Sequence, residues 1–375
     1  VPERVAAAIN GGTDTLSGFH DVKTILDLTK TNGADGKPLL SEARITEAAK
    51  RLLKAQFELG LFENPYVDDS KPVGIIGSDA NRDKGMDIQR KSIVLLQNQD
   101  AAGGGKVLPL KAGAKVYTMG IATSDTTKYG YTVTNGETTT AGVDLKKDLV
   151  TGNVIGRPSA AGNDYAVIRV EVSNNKIDPA TGKKYTTGYK SDDPATGGLI
   201  NPLTGKTWGA QDRCVAKTPL YSAEDAAKSC LDNGLGFGGA FPWEANNLSF
   251  TKMAESQSWQ ISPSLADIQA VMNEVGAAKT VLSIYFRQPY VLDDASGLKN
   301  AGAIVAGFGV SNTALLDTLS GKILKTGAAF KPQGKMPFAL PKTHRSVYEN
   351  KSDLPGFDET SDGALYKFGH GMNGF

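Results

Sequence analysis

The hexapeptide GLGFGG at residues 234–239 has the literal spacing of a dinucleotide fingerprint, G-x-G-x-x-G. That chemistry needs a strand before the first glycine and a helix after the last, so that backbone N–H groups cradle the pyrophosphate. A polar, cysteine-containing stretch precedes this one and Phe241-Pro242 follows it. The glycines are therefore read as letting a loop pass close to another backbone. Cys214 and Cys230 are sixteen residues apart in this polar, glycine-rich region. They could close a disulfide worth about 3 kcal/mol in an oxidising compartment, or stand as two unrelated thiols. The histidines, His20, His344 and His370, lack any spacing suited to zinc. No Walker loop, G-x-S-x-G elbow or Cys/His nucleophile pair occurs, so neither a metal nor a cofactor is expected.

The elements that must position any site are easier to read. In 375 residues two structural units are expected. The chain carries 41 basic and 40 acidic side chains without a dense Lys/Arg run, which argues against nucleic acid or an anionic membrane as partner. Its longest apolar stretches, such as AGAIVAGFGV (301–310), are short and glycine-broken, far below the ~18 residues of a membrane helix. A soluble globular protein is expected, and no signal peptide is visible. Residues 42–59 predict an amphipathic helix, with Ile45, Ala48, Ala49, Leu52, Leu53 and Phe57 on one face. Ser41 is its N-cap, Gly60 its stop, and Glu47 precedes Arg51 by four residues, the favourable order for an ion pair. So apolar a stripe requires a partner, yet only about forty residues precede it.

Residues 61–87 read as a linker. An α/β alternation comes next: helical IQRKSIVLLQ (88–97), strands KVYTMGIA (115–122) and DYAVIRVEV (164–172), and helix SLADIQAVMNEVG (264–276) with Ser264 and Asp267 as a capping box. Strands TVLSIYF (280–286) and AGAIVAGF (301–308) and helix NTALLDTLSG (312–321) complete it. Uninterrupted apolar strands between amphipathic helices predict a doubly wound, mostly parallel α/β sandwich. Residues 173–241 interrupt it with three turn phrases, DPATG (178–182), DPATG (193–197) and NPLTG (201–205). An excursion of this length is read as an ordered flap or a subunit contact.

Six segments, RLLKAQFELGLFENPYV, RKSIVLLQN, LPL, RQPYVL, GKMPFALP and ALYKFGHGM, have the order and spacing of the second half of a glycoside hydrolase family 3 enzyme, the β-glucosidase family, which the chain resembles from about residue 10 onward. The resemblance implies the last elements of a (β/α)8 barrel at residues 1–60, the linker at 61–87, a six-stranded α/β sandwich at 88–342 and a C-terminal tail at 343–375. It also implies that the helix at 42–59 packs against a barrel whose remainder is not in this sequence.

A retaining glycosidase needs two carboxylates about 5–5.5 Å apart, a nucleophile and an acid/base. The resembled family carries its nucleophile in a Ser-Asp-Trp type phrase, which is absent here; Asp14 belongs to a later barrel phrase and is not its equivalent. The acid/base is expected from the sandwich, where FPWE (241–244) resembles the loop that bears it. Glu244 is the candidate, with Glu171, at the end of its strand, and Glu255 as alternatives. A carboxyl beside Trp243 and Phe241 in a partly dry site would have the raised pKa that a general acid requires. Trp243 could stack on a sugar face. The long insertion before FPWE departs from the family pattern and removes the usual spacing check. His344 and His370 are read as solvated or capping residues, and Arg287 as bracing a loop through a carboxylate.

The implied function is the C-terminal portion of a retaining exo-β-glycosidase, periplasmic or secreted, acting on terminal β-glucosyl residues of cellobiose or short β-glucans. A homodimer through residues 173–241 is a further expectation. The competing reading is a non-catalytic carbohydrate-binding or structural module derived from the same family.

Overall fold

The structure is a computed structural model and describes residues 2–101, 104–180, 182, 244, 248–343, 346–347 and 363–375. The chain divides into two compact units, Val1–Asn81 and Arg82–Phe375. The first is helical: α1 (Pro2–Asn10), α2 (Val22–Leu28) and α3 (Glu42–Glu58). Asp21 caps α2 and Ser41 caps α3, accepting from Arg44 N at 3.2 Å, while Gly60 takes the left-handed φ of 68° that stops α3. The predicted Glu47–Arg51 pair forms at 2.5 Å. A small apolar cluster of Val5, Ala6, Ile9, Leu28 and Leu40 receives Ile45 from the start of the α3 stripe. Ala48 is buried too, but the later part of that stripe is open in this chain: Leu52 is 44%, Leu53 42% and Phe57 59% exposed. Phe57 stacks on Phe62 with ring centroids 4.4 Å apart.

The second unit opens with α4 (Asp79–Ser92), whose first turn spans the division and which takes in the end of the stretch read as linker. Residues 94–97, read as the end of a helix, instead belong to the strand β1 (Val94–Asn98). Ile93 to Leu96 are all buried, and four consecutive apolar residues carry no periodicity that separates a buried strand from a helix. Next come β2 (Lys115–Met119), α5 (Thr123–Thr127), β3 (Thr132–Asn135) and β4 (Tyr165–Ser173). After the insertion come α6 (Phe250–Glu255), β5 (Gln260–Ser262), α7 (Leu265–Val275), β6 (Thr280–Tyr285), β7 (Ala303–Gly307) and α8 (Asn312–Ser320). β8 (Leu340–Pro341) and β9 (Ala364–Tyr366) pair with each other.

The main sheet runs β1-β7-β6-β4-β2-β3, parallel except for β1 against β7. Six strands form its path, as the family resemblance implies, and β5 adds a seventh by pairing antiparallel with the far end of β4. Alternate residues of β4 enter opposite cores: Ala166, Ile168 and Val170 meet Ile268 and Val271 of α7, and Tyr165 and Val167 join the cluster containing Leu315 and Leu319 of α8. Both faces are covered, so this is a doubly wound α/β sandwich.

The predicted capping box at α7 is only half formed. Ser264 Oγ accepts from Asp267 N at 3.1 Å, but the Asp267 carboxylate turns away to accept from Val154 N at 2.9 Å. On α8, Asp317 is 1% exposed and accepts from Arg90 Nη1 at 3.0 Å, Tyr129 Oη at 2.6 Å and Leu324 N at 2.8 Å. No helix among the described residues is long and apolar enough to cross a membrane.

Candidate active site

The far end of β4 and the turn between α6 and β5 position the candidate carboxylates. β4 outruns the main sheet: its residues 166–170 pair with β6, while Glu171 to Ser173 pair with β5. Arg169 and Glu171 stand two apart on one face of it. The Arg169 guanidinium donates to Asn312 Oδ1 at 2.6 Å and Val310 O at 2.9 Å, and its Nε lies 3.5 Å from Glu171 Oε1. The Glu171 side chain is 50% exposed.

Three residues beyond β4 the chain meets the turn between α6 and β5. Lys176 N donates to Ser258 O at 3.3 Å, and Lys176 Nζ to Ser256 O at 3.3 Å. Ser249 caps α6, accepting from Lys252 N at 3.3 Å, and Ser256 ends it. Glu244 returns to this same turn. Its Oε1 accepts from Gln257 N at 2.6 Å and Ser258 N at 2.9 Å, and its Oε2 accepts from the Ser258 hydroxyl. The Glu244 residue is 1% exposed and Ser258 fully buried. Burial holds the Lys176 ammonium below its ordinary pKa, and the charge of Glu244 opposes that shift. Below the turn, Trp259 is 5% exposed and meets Tyr290 edge-on at 6.4 Å.

The three candidate glutamates therefore have separate partners: Glu244 the 256–258 turn, Glu171 Arg169, and Glu255 Lys252 Nζ at 2.6 Å. Trp243, Phe241, Cys214, Cys230 and His344 lie outside the described residues, as does nearly all of the 173–241 insertion. His370 is not simply solvated: a ring nitrogen lies 2.8 Å from Leu96 O and the ring lies against Tyr366 at 5.0 Å. Arg287 stacks over the Tyr285 ring at 5.1 Å and has no carboxylate partner among the described residues. Among those residues no group of His, Cys, Asp and Glu could hold a metal ion. Lys176 and Ser258 were not foreseen, because nothing in SQSW or NNKID marks a contact made across a long insertion.

The model of the Glycosyl hydrolase family 3 C-terminal domain matches residues 93–374. A periplasmic beta-glucosidase/beta-xylosidase of Dickeya chrysanthemi is 25% identical over 370 residues, which are 99% of this chain and 39% of that protein. Beta-glucosidase C of Emericella nidulans is 24% identical over 373 residues, 99% of this chain and 41% of its own length. The chain thus spans about two-fifths of the curated relatives it matches. Among solved structures, a Beta-D-glucoside glucohydrolase from Trichoderma reesei aligns over 98% of this chain and 47% of that one, with 14% identity and a TM-score of 0.47.

Proposed function

Because the chain belongs to glycoside hydrolase family 3, we propose that it is the C-terminal portion of a retaining exo-β-glycosidase that releases terminal β-glucosyl residues from cellobiose or short β-glucans. The match of the family's C-terminal domain to residues 93–374 carries this reading. The names of the relatives, β-glucosidases and a β-glucosidase/β-xylosidase, support the substrate class. The nucleophile belongs to a barrel portion of the same protein, and residues 1–60 are the end of that barrel, its exposed α3 stripe being the surface that meets the rest. We place the protein in the periplasm or outside the cell, with Cys214 and Cys230 bridged and residues 173–241 available for a homodimer contact.

In this reading Glu244 is the acid/base, flanked by Phe241 and Trp243. As acid it protonates the glycosidic oxygen as the aglycone leaves; as base it activates the water that hydrolyses the glycosyl-enzyme. The test is Glu244→Gln in the complete protein. Cellobiose, whose leaving group needs a proton, should lose about 10²–10⁴-fold in turnover, and a nitrophenyl glucoside far less. Azide should rescue the second step, since it attacks without a base.

One observation favours a second reading. Glu244 is buried and accepts two backbone N–H groups and a hydroxyl from one turn, which suits a clamp holding the 256–258 turn in place. A clamp lost to Gln would lower turnover of both substrates alike without azide rescue. The acid/base would then pass to Glu171 or Glu255, both exposed.

A further inference from the structure

Two oppositely charged side chains reach the 256–258 turn from the two ends of the long insertion. Lys176 arrives from β4, with its N–H on Ser258 O and its ammonium on Ser256 O, both at 3.3 Å. Glu244 arrives from the other end and accepts from Gln257 N at 2.6 Å, Ser258 N at 2.9 Å and the Ser258 hydroxyl. The Ser256 C=O and the Gln257 N–H belong to one peptide group. The ammonium therefore sits on the oxygen of an amide whose nitrogen donates to the carboxylate, and standard peptide dimensions put the two charges within roughly 8.5 Å of each other.

A cation on the C=O and an anion on the N–H polarise an amide in the same sense, so each bond strengthens the other. The attraction acts only while Glu244 is ionised. Burial pushes the half-buried Lys176 ammonium down from its ordinary pKa, and the charge of Glu244 works against that burial.

The other charges nearby are tied elsewhere. A cavity of about 480 Å³ beside the turn is lined by Lys176 together with Glu255, Lys147 and Asp148. Glu255 is paired with Lys252 at 2.6 Å and Lys147 with Glu137 at 2.8 Å. Asp148 Oδ1 accepts from Val150 N, Thr151 N and the Thr151 hydroxyl, and Asp178, two residues beyond Lys176, accepts from Ala180 N at 2.9 Å. We propose that Lys176 is a positioning residue for Glu244: its ammonium, fixed on the Ser256 carbonyl, is the counter-charge that seats the carboxylate in the turn and sets how readily Glu244 gives up its proton.

This role rests on the reading of Glu244 as the acid/base. It is tested in the complete protein by the pH dependence of kcat/KM for cellobiose, whose basic limb marks loss of the proton that the general acid must hold. Lys176→Met removes the counter-charge, so the limb should move to higher pH by about one unit. Lys176→Gln, which keeps an N–H donor without the charge, should give the same shift and replaces the Met variant if that one does not fold. Lys176→Arg restores the charge and should return the limb to its wild-type position. A side chain that only braced the turn would lower kcat/KM equally at every pH. An unmoved limb in the neutral variants, or a shift that Lys176→Arg leaves in place, overturns the role of Lys176 while the acid/base reading stands. A limb that persists in the residual activity of Glu244→Gln removes Glu244 from the acid/base role, and the role of Lys176 goes with it.

Discussion

At the scale of single residues, Asp317 and Glu244 are both buried carboxylates, each with three donors among the described residues, and they make different predictions. Asp317 neutralises Arg90, which is 9% exposed and whose Nε has no partner among the described residues. Asp317→Ala leaves that guanidinium buried and uncompensated, and the unfolding free energy should fall by about 3–5 kcal/mol in urea titrations. Replacing both partners, Arg90→Met with Asp317→Leu, should recover much of the loss, because it is the unpaired charge rather than the missing bond that is expensive. Tyr129, whose hydroxyl is pushed well above its ordinary pKa by burial and then by Asp317, stays a donor across the accessible pH range. At Glu244 the decisive readout is leaving-group dependence, since stability alone moves in both readings of that residue. Its proposed role rests on resemblance alone. Its partners were not legible, because the 256–258 turn is remote from it in local pattern and supplies two of its bonds through backbone N–H groups that any residue carries.

At the scale of elements, the helices with complete punctuation were the legible ones. α3 and α7 start at Ser41 and Ser264 and stop by Gly60 and Gly276, and α8 ends on Gly321 in the left-handed region, all as their sequences indicate. Short polar elements were missed: TSDTT forms α5 and TVTN forms β3 because the sheet edge and the cores beside it supply what their own sequences do not. The half-made cap at α7 reflects competition, since Asp267 finds a buried backbone N–H at Val154 that lies 113 residues away in sequence. The other end of α7 carries a pH-dependent tether. Glu274 Oε1 lies 2.5 Å from Arg157 Nη2, and its Oε2 accepts from Ala160 N at 2.5 Å. Arg157 first, and the Ala160 N–H after burial is overcome, hold its pKa below the ordinary value. A carboxylate depressed on folding contributes stability above the unfolded value, about 4.3 for Glu, and loses it as pH falls through the folded value. Glu274→Gln should therefore lower stability at pH 7 by roughly 1.5–3 kcal/mol. The difference from wild type should shrink toward nothing below that window; a deficit that persists unchanged at pH 3 would show that packing, not charge, was lost.

At the scale of the whole molecule, the two units should differ in how firmly they hold in this chain alone. β4, β6 and β7 are buried on both faces, whereas the second half of α3 offers Leu52, Leu53 and Phe57 to solvent. In native-state hydrogen exchange of the isolated chain, amides of those strands should open only with global unfolding, and amides of α3 beyond residue 50 should exchange far faster. Supplying the barrel portion should slow α3 specifically; equal protection of α3 and β6 without it would refute the assignment of that surface. The insertion has a different bearing on the molecule. Its first described residues and Glu244 are fastened to the same turn, Lys176 through the Ser258 carbonyl and Glu244 through the Gln257 and Ser258 amides. Chain that leaves and returns at one spot is an interchangeable cassette, because the sandwich is closed beneath it whatever its length. Closure entropy changes by only ~0.6 kcal/mol for each doubling of such a loop. Lineages carrying this domain could lengthen, shorten or exchange the segment with little effect on folding, and a designer could graft a foreign loop between Lys176 and Glu244 on the same footing.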